Sequence, residues 1–235
     1  MYDKSARFYD AIYGWKDYED EVRRLLILVD AHRGAPPASL LDVACGTGKH
    51  LAFLRGRVAH LEGVELNESM LAVARKRLSN IPLQRGDMTD FDLGRRFDVV
   101  TCLFSAIAYA GTVEGLQKAA RSMARHLNPG GLLLIEPFIS PDKWNDGQLH
   151  HLVVDQPDLK ISRINLSRRQ GQVAVLDMHY LVGTPEGVEH FVERHELTLF
   201  TPEEYRSALE AANLAVAFDE YGLDGRGMFV GRPAD

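Results

Sequence analysis

Four short stretches carry side chains whose chemistry and spacing belong together. They are Asp42-Val43-Ala44-Cys45-Gly46-Thr47-Gly48-Lys49-His50, then Glu65, then Gly86-Asp87-Met88, then Phe104. Each falls where an apolar, strand-like run stops, and α/β sheets bind ligands outside the carboxyl ends of their strands. Three chemistries use a glycine turn at such a place, and spacing separates them. A phosphate-binding loop requires a glycine five residues before Gly48 and a hydroxyl residue after the lysine; this chain has Val43 and His50 there. A dinucleotide fingerprint requires a third small residue three places beyond Gly48, where Leu51 stands. Leu51 weakens a nicotinamide cofactor without removing it.

The third chemistry is a nucleoside without phosphate, S-adenosylmethionine. It needs a close backbone approach, which Gly46 and Gly48 permit beside Ala44, and no anion seat. Glu65, nineteen residues after Gly46, can accept from two neighbouring ribose hydroxyls at once. Asp87 can accept from the adenine amino group, with Met88 following it. Taken singly, the glycines fit a plain turn, Glu65 a helix cap and Asp87 a turn aspartate. The ordered set at successive strand ends favours a donor site.

Elements must bring these residues together. Residues 18–32 have helical spacing, with Val22, Leu25, Leu26 and Val29 on one face, and the prolines of RGAPPAS end that helix. The runs at 39–44, 60–66, 81–88, 97–104 and 132–136 read as strands. Helices lie between them: one through LAFL, one at 67–78 with Asn67 as N-cap, and one at 114–127 ended by Asn128-Pro129-Gly130-Gly131. That alternation implies a parallel sheet wound on both faces. From 150 to 200 strand follows strand, at 159–167, 173–182 and 188–200, with antiparallel-type alternation. Thr201-Pro202-Glu203-Glu204 starts a last helix, and LAVAFDEYG and GMFVGR close the sheet as a hairpin. The expected class is therefore α/β, a doubly wound, mostly parallel seven-stranded sheet carrying an antiparallel β insert. Residues 1–149 are assigned to an N-terminal lid and the donor-binding core, 150–200 to the insert, and 201–235 to the last helix and closing strands.

The whole chain narrows the partners. Its 235 residues are 46% apolar, enough to bury a core, and carry a net charge of −6. That balance argues against nucleic acid, whose binders show basic patches. No run approaches the roughly 20 apolar residues of a membrane span. Asp3, Lys4, Arg7 and Asp10 interrupt any signal-peptide core, so a cytoplasmic protein is expected. Two cysteines, Cys45 and Cys102, make no disulfide framework, and His50, His126, His150 and His151 have no partners at ligand spacing; no metal is expected.

The sequence resembles the class I S-adenosylmethionine-dependent methyltransferases, with LLDVACGTGKH as their glycine loop, Glu65 as the ribose acid and Gly86-Asp87-Met88 as the adenine contact. A narrower resemblance spans nearly the whole chain. Phe8-Tyr9-Asp10, Lys16-Asp17-Tyr18, CLFSAIAY, Glu136-Pro137, Ile161-Ser162-Arg163, His179-Tyr180 and Gly225-Arg226-Gly227-Met228-Phe229-Val230-Gly231 look like the nucleotide-linked amino-sugar N-methyltransferases of antibiotic biosynthesis. That family tends to have a histidine at Tyr109 and two tryptophans at Phe138-Ile139. The resemblance implies a Rossmann-like core, S-adenosylmethionine as cofactor, and a small-molecule acceptor. It implies donor contacts from Tyr9, Tyr18, Ala44, Gly46, Gly48, Glu65, Leu66, Met70, Asp87, Met88 and Phe104. Tyr2, Tyr109 and His179 would serve catalysis, and Phe138 and Arg226 would meet substrate, Arg226 through a phosphate.

The aromatic opening then acquires a purpose. Six of the first eighteen residues are Tyr2, Phe8, Tyr9, Tyr13, Trp15 and Tyr18, and aromatic faces attract a sulfonium or an ammonium by about 0.5–2 kcal/mol. Tyr13 and Trp15 are assigned to packing alone. Rival readings are a small-molecule O-methyltransferase, which needs a stronger base, a nicotinamide-dependent oxidoreductase, and a non-catalytic donor-binding regulator. The insert could pair two subunits as a homodimer or roof one pocket.

Overall fold

The structure, a computed structural model, describes residues 2–234. Its sheet begins with β1 (Ser39–Val43), β2 (His60–Glu65), β3 (Leu83–Arg85), β4 (Phe97–Cys102) and β5 (Leu127–Ile135). β1, β2 and β4 are buried on both faces along nearly their whole length, as covered parallel strands must be. The connecting helices are α3 (Lys49–Leu54), α4 (Glu68–Arg77) and α5 (Val113–Ala124), preceded in the chain by α1 (Tyr9–Ile12) and α2 (Tyr18–Arg33). Asn67 caps α4 by accepting from the Met70 N–H, which leaves Met70, Leu71 and Ala74 facing the sheet.

The insert is a separate antiparallel sheet of β6 (Leu149–Gln156), β7 (Leu159–Gln170), β8 (Val173–Thr184) and β9 (Gly187–Thr198), in that order. α6 (Pro202–Glu210), started by a capping box between Thr201 and Glu204, returns the chain to β10 (Leu214–Asp219) and β11 (Met228–Pro233). The large sheet has the order β10-β11-β5-β4-β1-β2-β3, in which β11 runs antiparallel to both its neighbours, β10 and β5, and the other strands pair in parallel. The expected seven-stranded α/β class with its antiparallel insert is therefore the fold. β1 lies between β2 and β4, so the chain winds outward both ways from it and opens a crevice at the carboxyl ends of β1 and β4.

Several boundaries differ from the sequence reading. Only Leu83–Arg85 of the run 81–88 pairs as strand, because Asp87 folds back to accept from the Thr89 N–H and hydroxyl. β4 stops at Cys102, where Phe104 and Ser105 turn into left-handed backbone. Asn128-Pro129-Gly130-Gly131 does not end α5; it forms a register irregularity inside β5, between the pairs Phe97–Leu127 and Val99–Leu132. A fourth insert strand, β6, was not legible because its apolar residues do not alternate cleanly.

The N-terminal segment, a short 3-10 turn (Ser5–Phe8) and α1, is clasped between insert and core. On the insert side the Lys4 and Ser5 N–H groups donate to Glu193. On the core side Asp10 accepts from the Thr47 hydroxyl (2.8 Å) and pairs with Arg77 of α4.

Candidate active site

The crevice opens into a cavity of about 490 Å³ walled by the N-terminal segment, the carboxyl ends of β1, β2 and β4, and the inner face of the insert. At its core end Ala44 and Gly46 both take positive φ (58° and 57°), so β1 turns away sharply and presents backbone to the cavity. The Glu65 carboxylate stands beside them, 8% exposed. It accepts from the Gly46 N–H (2.9 Å) and the Asn67 N–H (2.7 Å). Burial nevertheless raises its pKa above the usual carboxylate range, against the lowering effect of those bonds. Leu66, Met70, Asp87 and Met88 continue this wall, and Phe104 crosses it from β4.

Phe104 is held firmly. Its N–H donates to the buried Glu136 carboxylate at 2.6 Å, which stabilises an otherwise costly φ of 52°. Its ring has the Lys16 ammonium 4.3 Å from the centroid, the Arg226 guanidinium at 5.2 Å and Tyr13 edge-on at 5.2 Å. Arg226 donates to the Ser105 hydroxyl (2.9 Å) and to Asp224 (2.7 Å), and lies 3.8 Å from Glu136. It lines the other end of the cavity with Phe138, whose N–H is met by the Tyr205 hydroxyl.

Tyr2, Tyr9 and Tyr109 close the cavity from above. Tyr2 packs edge-on against Tyr9 (centroids 5.4 Å apart), and its hydroxyl lies 3.4 Å from that of Tyr109. Burial pushes all three phenols well up, so they stay protonated at neutral pH. Tyr18 lies in an adjoining recess of about 40 Å³ with Asp42, Thr47 and His50.

Two expected site residues sit elsewhere. His179 is exposed on the outer face of β8, its ring stacked on His190, because Met178 and Tyr180 on either side take the inner face. Gly48 does not line the cavity: a Cβ there would lie 2.5 Å from Leu78 Cδ1, so its φ of 73° and missing side chain serve the contact of α3 with α4. Trp15, assigned to packing, is 68% exposed and meets only the edge of the aromatic cluster, 6.4 Å from the Tyr13 ring, whereas Tyr13, also assigned to packing, lines the cavity.

The sequence reading also missed His195, one residue pair along β9 from the cavity wall, with Nδ1 2.7 Å from the Tyr109 hydroxyl. Alternation in HFVERHELTLF could have found it, since Phe191, Glu193, His195 and Leu197 share the buried face. Leu176, Met178 and Leu197 supply the apolar roof. Among the described residues no group of three or more His, Cys, Asp or Glu could hold a metal ion, and no helix is long and apolar enough to cross a membrane.

Comparison with known proteins extends these observations. The family described as methyltransferase domain matches residues 40–131. The chain is 41% identical over 231 residues to the dTDP-3-amino-3,6-dideoxy-alpha-D-glucopyranose N,N-dimethyltransferase of Streptomyces fradiae, covering 97% of this chain and 90% of that protein. It is similar to the crystal structure of Streptomyces venezuelae DesVI, with a TM-score of 0.92, 42% identity, and coverage of 97% and 98% of the two chains. CalS10 bound to SAM, an amino pentose methyltransferase from Micromonospora echinaspora involved in calicheamicin biosynthesis, gives a TM-score of 0.86 at 42% identity over 95% of each chain.

Asp42, buried behind the glycine turn, supplies a test of the site's electrostatics. Burial pushes its carboxyl up to about 6; His50 and the Thr101 hydroxyl oppose that shift and Glu65 adds to it. A folded pKa above the unfolded value means the native state holds the proton longer, so this group's contribution is present at low pH and lost as pH rises through about 6. Asp42→Asn is therefore expected to gain stability relative to wild type between acid and neutral pH, by about 3 kcal/mol. Urea midpoints of both proteins across that range check it; a pH-independent difference contradicts it.

Proposed function

Since this chain belongs to the class I S-adenosylmethionine-dependent methyltransferases, in the group of nucleotide-linked amino-sugar N-methyltransferases, we propose that it methylates the amino group of a nucleotide-linked amino sugar. S-adenosylmethionine, when bound, supplies a methyl carbon carried on a positively charged sulfur. The residues present fit that donor. Glu65 is a buried carboxylate with two backbone N–H partners and lone pairs left for ribose hydroxyls. Asp87 has both of its bonds from Thr89 on Oδ1, leaving Oδ2 for the adenine amino group. Ala44, Gly46, Leu66, Met70, Met88 and Phe104 are assigned to the same half, with Tyr9 and Tyr18 at the methionine end.

One observation carries the choice of nitrogen over oxygen. The acceptor half, with Tyr2, Tyr109 and Phe138, offers phenols held protonated and a histidine, His195, whose pKa burial drops to about 4. A hydroxyl acceptor needs a strong base to take its proton, whereas a neutral amine attacks unaided. The chain's contribution is alignment and exclusion of water, with aromatic faces favouring the emerging ammonium. Arg226, fixed by Ser105 and Asp224, is assigned to an acceptor phosphate.

We also infer that two copies pair through the outer face of the insert. Leu181 of β8 and Val188 and Val192 of the adjacent β9 stand exposed there, with Val153 on β6, two strands from β8, an apolar surface that a second copy would cover.

Glu65→Ala is expected to weaken S-adenosylmethionine about ten- to a hundredfold by calorimetry while the circular dichroism spectrum stays native. Arg226→Ala should raise KM for a thymidine-diphosphate amino sugar about tenfold and leave donor affinity alone; an unaltered KM removes the phosphate contact from the account. Leu181→Glu with Val192→Glu should convert a dimer to monomers in sedimentation velocity, and an already monomeric wild type rules out the pairing.

A further inference from the structure

His195 is buried to within 1% of full enclosure, yet its Nε2 has no hydrogen-bond partner. Its Nδ1 lies 2.7 Å from the Tyr109 hydroxyl, and the Tyr2 ring packs edge-on against it with centroids 4.6 Å apart. Glu193 Oε2 stands 4.0 Å from Nε2. Glu193 is itself buried and clamped by the N-terminal segment: the Lys4 and Ser5 N–H groups donate to Oε1 at 2.9 and 3.1 Å, and the Ser5 hydroxyl donates to Oε2. Among the described residues, the charged and titratable groups facing His195 are Glu193 on its own strand, Arg163 of β7, Tyr109 and Tyr2.

Burial lowers the His195 pKa more than Glu193 raises it, and Arg163 lowers it further, so the ring is neutral. A neutral imidazole has two tautomers. A proton on Nδ1 would aim the Nε2 lone pair at the Glu193 carboxylate. A proton on Nε2 aims an N–H dipole there, and is favoured. In that tautomer Nδ1 can only accept, so the Tyr109 hydroxyl must donate to it. The Tyr109 oxygen can then accept from the Tyr2 hydroxyl 3.4 Å away and keeps a further lone pair for the cavity it lines.

We propose that His195 is a positioning residue that, in the tautomer selected by Glu193, commits the hydroxyl proton of Tyr109 and makes Tyr109 an acceptor for an N–H of the substrate amine. The inference deepens the amine-methylating function above and rests on it. An amine that donates one N–H to a fixed oxygen has the direction of its lone pair set, which is the alignment methyl transfer requires. Primary and secondary amines carry such an N–H; a neutral tertiary amine has none, so the orienting contact disappears once the nitrogen is fully substituted. A hydroxyl acceptor would only donate its O–H as a hydrogen bond to the same oxygen and remain an alcohol, because a neutral phenol backed by a weak base does not take the proton. Because Glu193 is clamped by residues 4 and 5, the orienting chain is complete only with the N-terminal segment seated.

Long-range proton–nitrogen correlation spectra of the intact, nitrogen-15-labelled protein read the tautomer directly. A neutral His195 protonated on Nε2 across neutral pH is expected, with Glu193→Gln populating the second tautomer. In kinetics with a thymidine-diphosphate amino sugar, Tyr109→Phe and His195→Leu should each lower kcat about ten- to a hundredfold with donor affinity unchanged. The double variant should be no slower than the slower single one, since both remove one interaction. An Nδ1-protonated or imidazolium signal, or losses that multiply in the double variant, overturns the inference. Should His195→Leu not fold, the wild-type spectrum together with Glu193→Gln decides. Failure of the broader function shows differently, as a wild-type protein that binds donor and methylates no amino sugar, and it takes this inference with it.

Discussion

A carboxylate kept out of water at the end of β2 organises the rest of the molecule. Burying Glu65 is costly, and the raised pKa records that cost. Two backbone N–H groups offset part of it, one from the glycine turn after β1 and one from Asn67, the residue that caps α4. A single side chain thereby ties together the turn, the second strand and its helix. The lone pairs left over face the cavity, so the acid that holds the loop is also the acid that a ribose diol would complete. On the proposed function, stability of the loop and affinity for the donor would share one group.

Enclosure supplies what that acid cannot. The cavity has walls from three regions far apart in sequence, and the N-terminal segment joins two of them through Glu193 on the insert and Arg77 and Thr47 on the core. Its tyrosines are therefore roof rather than loose tail. The low dielectric they create strengthens charge interactions inside and keeps the phenols and the imidazole neutral. Neutral phenols and a neutral imidazole suit a nucleophile that arrives with its own lone pair. The cations beside the cavity are paired and laid over a ring, Lys16 with Glu21 and Phe104, and Arg226 with Asp224 and the same Phe104.

The backbone bears strain where function concentrates. Ala44, Phe104 and Ser105 are non-glycine residues in left-handed conformation, all at the carboxyl ends of β1 and β4. Phe104 is paid for by the bond from its N–H to Glu136. Sequence inspection cannot see such positions, since nothing in the residue types Ala, Phe or Ser demands a positive φ.

Glu65, Asp87, Gly46 and the alternation of strand with helix were legible because each is a local signal: a strand end, a turn residue, a period of burial. The seven-stranded class and the antiparallel insert follow from those periods alone. What tertiary structure decided was which side of a strand meets the cavity and which rings meet one another. His179 and His195 are equally plausible histidines in the linear chain, and only the pairing of β8 with β9 over the core puts the first outside and the second beneath Tyr109. Gly48 likewise reads as a ligand glycine until Leu78, thirty residues on, is found against it. Side-chain period is local, but the identity of the buried face, and of a contact across it, is set by long-range packing that no single stretch of sequence contains.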